Sequence, residues 1–458
     1  MKDKLAKLIA DQEQQAIEEF KEFLRIPSVS TLSEHLPDME KAAEWLKKRC
    51  EKAGFEGVKI LQAGESPAVY AEWMNAPNKP TVLIYGHFDV QPAEPLEEWL
   101  SDPFDPLIKD GLIYARGASD SKGNVLMAVL GVECALKELG TLPVNVKFLF
   151  EAQEEIGSPD MPKFISENKE LLVCDMIINS DGGQYGMDQP EIVTSMRGLV
   201  SVEVEVRCAN TDLHSGNHGG VAQNANFALT CLLAAMKDPA GNVLIPGFYD
   251  QVRVLSDEEK EKLNDAPFDE ADYLKQLGLN SLACVPGVSP REALWKLPTL
   301  EINGMYGGFQ GEGVKTVIPR KALAKITCRL VADQDPEAIT QSLKLFIENF
   351  KLPGATFHMT VAEQGALPYN LPSDHATIKL VSDVLFDIYG KQPVVVGNGA
   401  SIPILSIFLK NLERYSVTMG FALDDENLHA PNEFLRLKNF NRGQLAFALL
   451  ISKFNEQL

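Results

Sequence analysis

No stretch of the chain comes near the roughly 20 consecutive apolar residues needed to span a bilayer, so an integral membrane role has no starting point in it. Cysteine is sparse and unpatterned. Its seven residues (Cys50, Cys134, Cys174, Cys208, Cys231, Cys284, Cys328) contain no C-x-x-C pair. An odd, scattered set suits buried thiols in a reducing compartment better than a disulfide framework. Positive charge is also short: 43 Lys and Arg stand against 64 Asp and Glu, a net charge of −21. A field of that sign repels phosphate backbones and anionic headgroups, which argues against nucleic-acid and membrane-surface partners. It favours cations, metal ions included, although solubility accounts for it equally well. The opening MKDKLAKLIADQEQQAIEEF carries charges throughout and reads as an amphipathic helix, without the uninterrupted apolar core of a signal peptide. The expected location is cytoplasmic.

What is present is an ordinary soluble composition, 45% hydrophobic and 23% charged, in 458 residues. That length exceeds one hydrophobic core, so two or three domains are expected. Helical spacing covers Ile9–Leu24 and Met39–Ala53, with Gly54 as a stop. Continuous apolar runs at Thr81–Tyr85, Val144–Phe150 and Met176–Asn179 have the texture of buried strands, with a helix at Val125–Leu139 between the first two. Strands alternating with helices predict a mixed or parallel α/β sheet. Near Gly198 the texture changes. Leu199–Cys208 alternates strictly, as in a sheet with one wet face. A helix at Phe227–Met236, strands at Leu300–Met305 and Ala322–Val331, a helix at Pro336–Phe350 and a strand at Thr356–Val361 follow. The order β-α-β-β-α-β is the ferredoxin-like arrangement, interrupted by a charged excursion from about Asp250 to Lys296. The α/β texture returns with a helix at Asp374–Tyr389, a strand at Ser416–Phe421 and a closing helix at Asn441–Phe454. The expected organisation is an α/β domain built from residues 1–197 and 367–458, with an α+β domain inserted at 198–366.

The chemistry-bearing residues sit at strand tips: TVLIY-GHFDV (His87, Asp89), VKFLF-EAQEE (Glu154, Glu155), MIIN-SDGG (Asp181) and SVTMGF-ALDDENLH (His429). Asp120, in ARGASDSKGN, lies just before a helix. Ligand sites of α/β sheets gather at the carboxyl ends of strands, so these tips can converge. Singly, each has a plainer account: a satisfied His-Asp turn, surface glutamates, an N-cap at Asp120, turn chemistry at Asp181, or a His429 paired within Asp424–Glu426. Those accounts do not explain why five candidate sites fall in one domain. The set of His, Asp, Glu, Asp and His suits zinc, with manganese or cobalt as alternatives. One bridging carboxylate plus a carboxylate and a histidine per ion would make a two-metal site. If the segment is extended, Glu154 and Glu155 point to opposite faces, so one would be a ligand and the other would handle protons. His35, His358 and His375 read as structural or exposed, whereas His214 and His218, in Gly-rich DLHSGNHGG, are evenly balanced between loop and function.

Together GHFDVQP, WLSDPFDPLIKDGLIYARGASDSKG, EAQEEIGS, SDGG, DLHSGNHGG, GEGVKTVIPRKALAKITCRLV, GASIP and LHAPNE, in this order over nearly the whole chain, resemble the cytosolic non-specific dipeptidase/carnosinase branch of the aminoacylase-type di-zinc metallopeptidases. The resemblance implies a mixed-sheet zinc-peptidase catalytic domain with an inserted ferredoxin-like lid and dimerisation domain. It implies that His87 and Asp181 hold one ion, Glu155 and His429 the other, and that Asp120 bridges them. Asp89 would orient His87, and Glu154 would shuttle the proton of the attacking water. His214 would stabilise the oxyanion in the neighbouring subunit of a homodimer, while Thr316, Arg329 and Ser401 would bind the carboxylate end or backbone of a small peptide. Two departures, Gln364 where the relatives carry a histidine and Ala400 where they usually carry glycine, bear on substrate choice. The competing expectations are a hydrolase of N-acyl amino acids or a carboxypeptidase-type deacylase with the same ions, and a catalytically silent assembly or metal-binding protein on the same fold.

Overall fold

The computed structural model describes residues 1–362 and 365–454, and the chain divides into two compact units. The first comprises Met1–Thr194, Leu371–Val395 and Ile404–Leu458, the second Ser195–Asn370 and Val396–Pro403.

The first unit is built on a six-stranded mixed sheet in the order Glu56–Ala63, Ser66–Trp73, Asn145–Glu151, Thr81–His87, Met176–Asn179, Ser416–Thr418. The last four strands run parallel to one another, and the first two form an antiparallel edge that the hydrophobic pattern did not single out. Thr81–His87 and Asn145–Glu151 are buried at every position, which is why they read as unbroken apolar runs: helices cover both faces. Successive side chains alternate sides. Tyr85 therefore meets Phe408 of helix Pro403–Leu412 edge-on at 5.4 Å, while Gly86 faces helix Lys122–Leu139 on the other side. A Cβ on Gly86 would stand 2.8 Å from Val125 Cγ2 and 2.6 Å from Ser180 Oγ, so only glycine lets that helix approach.

Helix Lys122–Leu139 is the spine of this unit, buried from Lys122 through Ala135. It ends at Gly140, whose φ of 76° is the left-handed turn that closes helices. It packs on helices Lys2–Leu24 and Leu437–Lys453, so the two ends of the chain meet on it.

The second unit carries an antiparallel four-stranded sheet in the order Thr299–Gly307, Lys321–Leu330, Gly198–Arg207, Thr356–Val361. That is the ferredoxin-like order, with the strands first and third in sequence at the centre. Val200, Val202, Val204 and Val206 face a core closed by helices Ala225–Met236 and Pro336–Asn349. The helices start on Asn224 and Asp335, whose side chains accept backbone N–H groups of the first turn. The charged excursion folds into three short helices, Asp257–Leu263, Glu270–Leu277 and Pro290–Trp295.

Candidate metal centre

Parallel strands bring their carboxyl ends to one edge, and the first unit gathers seven sequence-flagged residues there. His87 ends its strand in register with Glu151, and its imidazole is buried. Asp89, two residues on, is buried beside it: Oδ1 lies 3.3 Å from His87 Nδ1. The same carboxylate accepts the N–H groups of Glu154 at 3.2 Å and Glu155 at 3.1 Å. Asp89 thus ties the His87 strand to the Glu154 turn and leaves Nε2 as the free face of the ring.

That face looks at two carboxylates, Asp120 Oδ1 at 3.3 Å and Asp181 Oδ1 at 3.7 Å. The other oxygen of Asp120 points elsewhere, 2.9 Å from His429 Nε2, and His429 Nε2 lies 3.3 Å from Glu155 Oε2. Two groups result, His87–Asp120–Asp181 and Asp120–Glu155–His429, each tight enough for one ion. Asp120 belongs to both. Glu154 belongs to neither.

Several expectations change in detail. Glu154–Ile156 is a 3-10 turn rather than an extended segment, because Gly157 takes a left-handed φ of 84° and Asp89 draws two consecutive N–H groups to one carboxylate. The two glutamates separate through this turn, not through strand alternation. The N-cap of helix Lys122–Leu139 is Ser121, so the capping account of Asp120 falls. His429 faces Asp120 and Glu155 rather than its neighbours in Asp424–Glu426. It sits at φ 59°, in a loop where Asn427 (55°) and Asn432 (63°) are also left-handed. Asn432 lashes this loop to the chain at Glu98 and Leu100.

The electrostatics of the cluster are those of several carboxylates crowded together and shielded from solvent. Burial first, then the Asp181, Glu155 and Asp120 charges, push Glu154 well above the usual carboxylate range. Burial and the nearby Asp120 push Glu155 up to about 7. His429 is raised to about 10 by its contacts with Asp120 and Glu155. At His87, burial opposes the charged ring, but the Asp120, Asp181 and Asp89 carboxylates outweigh it. Two buried atoms, His87 Nε2 and Glu155 Oε1, make no hydrogen bond. Buried polar atoms left without partners are costly. A divalent cation in each group would satisfy them, and a donor set of imidazole and carboxylate suits zinc.

The remaining flagged residues belong to the second unit. His214 is exposed on a short ladder where it pairs with Val317, and Ser215 N–H donates to the Thr316 carbonyl at 3.1 Å. Its Nδ1 accepts the Gly216 N–H at 3.0 Å, which in the neutral ring places the proton on Nε2 as an outward donor. Arg329 Nη1 donates to Ser401 Oγ at 2.9 Å, and Ser401 donates in turn to the Arg197 carbonyl at 2.5 Å. Arg197 went unflagged in the sequence. Burial and the like charge of Arg329 lower it to about 10, so two guanidinium groups share one neighbourhood. Its backbone N–H also holds the Ala400 carbonyl at 3.1 Å. Gln364 lies outside the described residues. Also unflagged were Gln91, which donates to Glu155 Oε2 at 2.8 Å, and Glu426 and Glu433. In the sequence Glu426 stood only as a neighbour of His429 in the stretch Asp424–Glu426, and Glu433 only as the last residue of LHAPNE. His35 and His375 serve locally, pairing with Asp38 at 3.0 Å and capping helix Ala376–Tyr389.

Comparison with known proteins matches residues 83–453 to the peptidase family M20/M25/M40. The chain is 31% identical to the Beta-Ala-His dipeptidase of Rattus norvegicus over 83% of its length and 78% of the relative's. It is 30% identical to the Cys-Gly metallodipeptidase dug1 of Schizosaccharomyces pombe over 98% and 97% of the two chains. The solved structure of the di-peptidase Dug1p from Saccharomyces cerevisiae superposes with a TM-score of 0.85 at 26% identity, covering 100% of this chain and 99% of that one.

Proposed function

The chain belongs to peptidase family M20/M25/M40, and from that premise we propose that it hydrolyses dipeptides and similarly small peptides with two divalent cations, zinc in the first instance. One observation carries this reading. Asp120 divides its two oxygens between two ligand groups, beside a buried glutamate that joins neither.

On this reading His87 and Asp181 hold one ion, Glu155 and His429 the other, and Asp120 both, with Asp89 setting the orientation and basicity of the His87 ring. The ions, when bound, supply Lewis acidity to the scissile carbonyl and acidify the attacking water. Glu154, whose surroundings favour holding a proton, takes one from that water and delivers it to the leaving amine. The Nε2–H of His214 is suited to donate to the developing oxyanion. Arg329 and Ser401, with Thr316, bind the substrate's carboxylate end, for which a guanidinium offers a planar two-pronged donor. A homodimer through the second unit, with His214 serving the partner, is supported by the edge strand Thr299–Gly307, which exposes Ile302, Met305 and Tyr306, and by exposed Phe227. The functional division is proposed at 197/198 and 366/367. A cytoplasmic setting fits the seven free thiols, and no helix of the described residues is long and apolar enough to cross a membrane.

The test is a panel of dipeptides, tripeptides and N-acyl amino acids assayed on protein stripped by chelation and reconstituted with zinc, manganese or cobalt. Dipeptides should be cleaved with the highest kcat/KM, and only after metal is restored. Faster turnover of N-acyl amino acids would replace the dipeptidase reading with the deacylase one.

A further inference from the structure

Two buried carboxylates next to the metal centre belong to neither ligand group. Glu433 and Glu426 are completely shielded from solvent. Glu433 accepts four hydrogen bonds, all from the segment that ends on Asp120: from Arg116 Nη1 at 2.9 Å and from the N–H groups of Gly117 at 2.9 Å, Ser119 at 2.8 Å and Asp120 at 3.0 Å. Its own carbonyl accepts the Ala115 N–H at 3.0 Å. Glu426 accepts the Ser119 hydroxyl at 2.6 Å, the Leu423 N–H at 3.0 Å and, from Arg436, Nη1 at 2.9 Å and N–H at 3.3 Å. The Phe434 N–H closes back onto the Glu426 carbonyl at 3.1 Å.

Position in the chain gives this network its meaning. Glu426 precedes His429 by three residues and Glu433 follows it by four, so the loop that presents His429 hangs between them. Both carboxylates grip residue 119, the neighbour of the carboxylate shared by the two ion groups. A buried carboxylate is expensive unless fully hydrogen-bonded, and here every bond it makes goes either to the Asp120 segment or to the base of the His429 loop. Simple structural stapling would not require the donors to converge on these two loops.

We propose that Glu433, backed by Glu426, is a positioning residue that sets Asp120 against His429 and thereby the affinity of the ion these two share with Glu155. The inference rests on the two-ion reading. Partners behind metal ligands commonly carry about 10–100-fold in metal affinity.

The experiment titrates metal-free protein with zinc in a calorimeter and with cobalt by visible absorption, with affinities expressed per folded molecule and thermal unfolding recorded alongside. Wild type should bind two ions. Glu433→Gln keeps the size but loses acceptor capacity, and one ion should bind about 10–100-fold more weakly while the other changes less. Folded Glu433→Gln with both affinities unchanged, or both lowered equally, would overturn the proposal. Should that variant fail to fold, Ser119→Ala decides, since it removes only the hydroxyl bond to Glu426. A selective several-fold loss of one ion supports the clamp, and a wild-type isotherm overturns it. Wild-type protein that bound a single ion would sink the two-ion reading and this inference with it, whereas failure confined to the variants sinks this inference alone.

Discussion

Glu154 and Glu155 are adjacent, identical in type and both raised by burial, yet only Glu155 has oxygens within reach of His429 and Gln91. Glu154→Gln should therefore lower kcat by at least about 10²-fold, the scale of a general base, with metal content per protein unchanged. Parallel loss of metal and activity would exchange the two roles. The same residues give metal binding a pH dependence of definite sign. In the metal-free protein Glu155 is raised to about 7 and His429 to about 10. Both hold protons that an incoming cation must displace. Affinity should rise as pH increases from 6 to 8, with proton release visible as a dependence of the calorimetric heat on buffer ionisation. Affinity that fell with pH over this range would mean that neither group is a ligand.

At the scale of elements, the spine helix Lys122–Leu139 is held where two helices touch almost backbone to backbone. A Cβ on Gly131 would stand 2.5 Å from the Gln444 carbonyl and 2.7 Å from Phe447 Cβ of helix Leu437–Lys453. Gly131→Ala gains helix propensity but overpacks this crossing, and should destabilise the protein by about 1–3 kcal/mol, read as a lower melting temperature. Equal or higher stability would mean that the helices separate freely. A second joint lies between helices Lys2–Leu24, Leu36–Lys52 and Lys122–Leu139, where buried Arg49 bonds Glu19 (Nε to Oε2, 2.6 Å) and Glu133. Removing the cation takes the buried donor from two carboxylates but leaves each a lysine, Lys52 on Glu19 at 2.5 Å and Lys137 on Glu133 at 2.7 Å, so Arg49→Met should cost about 1–3 kcal/mol in denaturant unfolding. Near-neutral behaviour would show that water reaches the pair.

For the whole molecule the decisive matter is whether one active site needs two chains. His214→Ala and Glu154→Gln proteins should each be nearly inactive. Co-expressed, they should recover part of the activity if His214 acts across a dimer, because one site then pairs an intact Glu154 with an intact His214. Mixed dimers isolated through two affinity tags but showing no recovery would confine His214 to its own subunit or remove it from catalysis.

Much of this was legible in one dimension because it rests on local rules. Continuous apolar runs marked Thr81–His87, Asn145–Glu151 and Met176–Asn179, since strands buried on both faces have no polar period. Strict alternation marked Gly198–Arg207, since that sheet is wet on one side. His87, Asp89, Glu155, Asp181 and His429 stood out because they follow apolar strands, whose carboxyl ends meet at one edge of the sheet, and the run of motifs gave the family. The antiparallel edge Glu56–Trp73 lacked such a signal, because Glu56–Ala63 is mostly exposed or half-buried and Ser66–Trp73, although buried, has its apolar run interrupted by Tyr70 and Glu72. What tertiary structure alone decided is which groups face which. Asp120 looked like a helix cap until it split its oxygens between His87 and His429, residues 342 positions apart. Glu154 and Glu155 were separated by a turn that Asp89 imposes from 65 residues away. Glu426 and Glu433, unremarkable acids in a polar stretch, became the buried grip on the Asp120 loop. Local pattern reports how a residue meets water. The partner of a buried charge is a matter of distance across the fold, and distance exists only once the chain has closed.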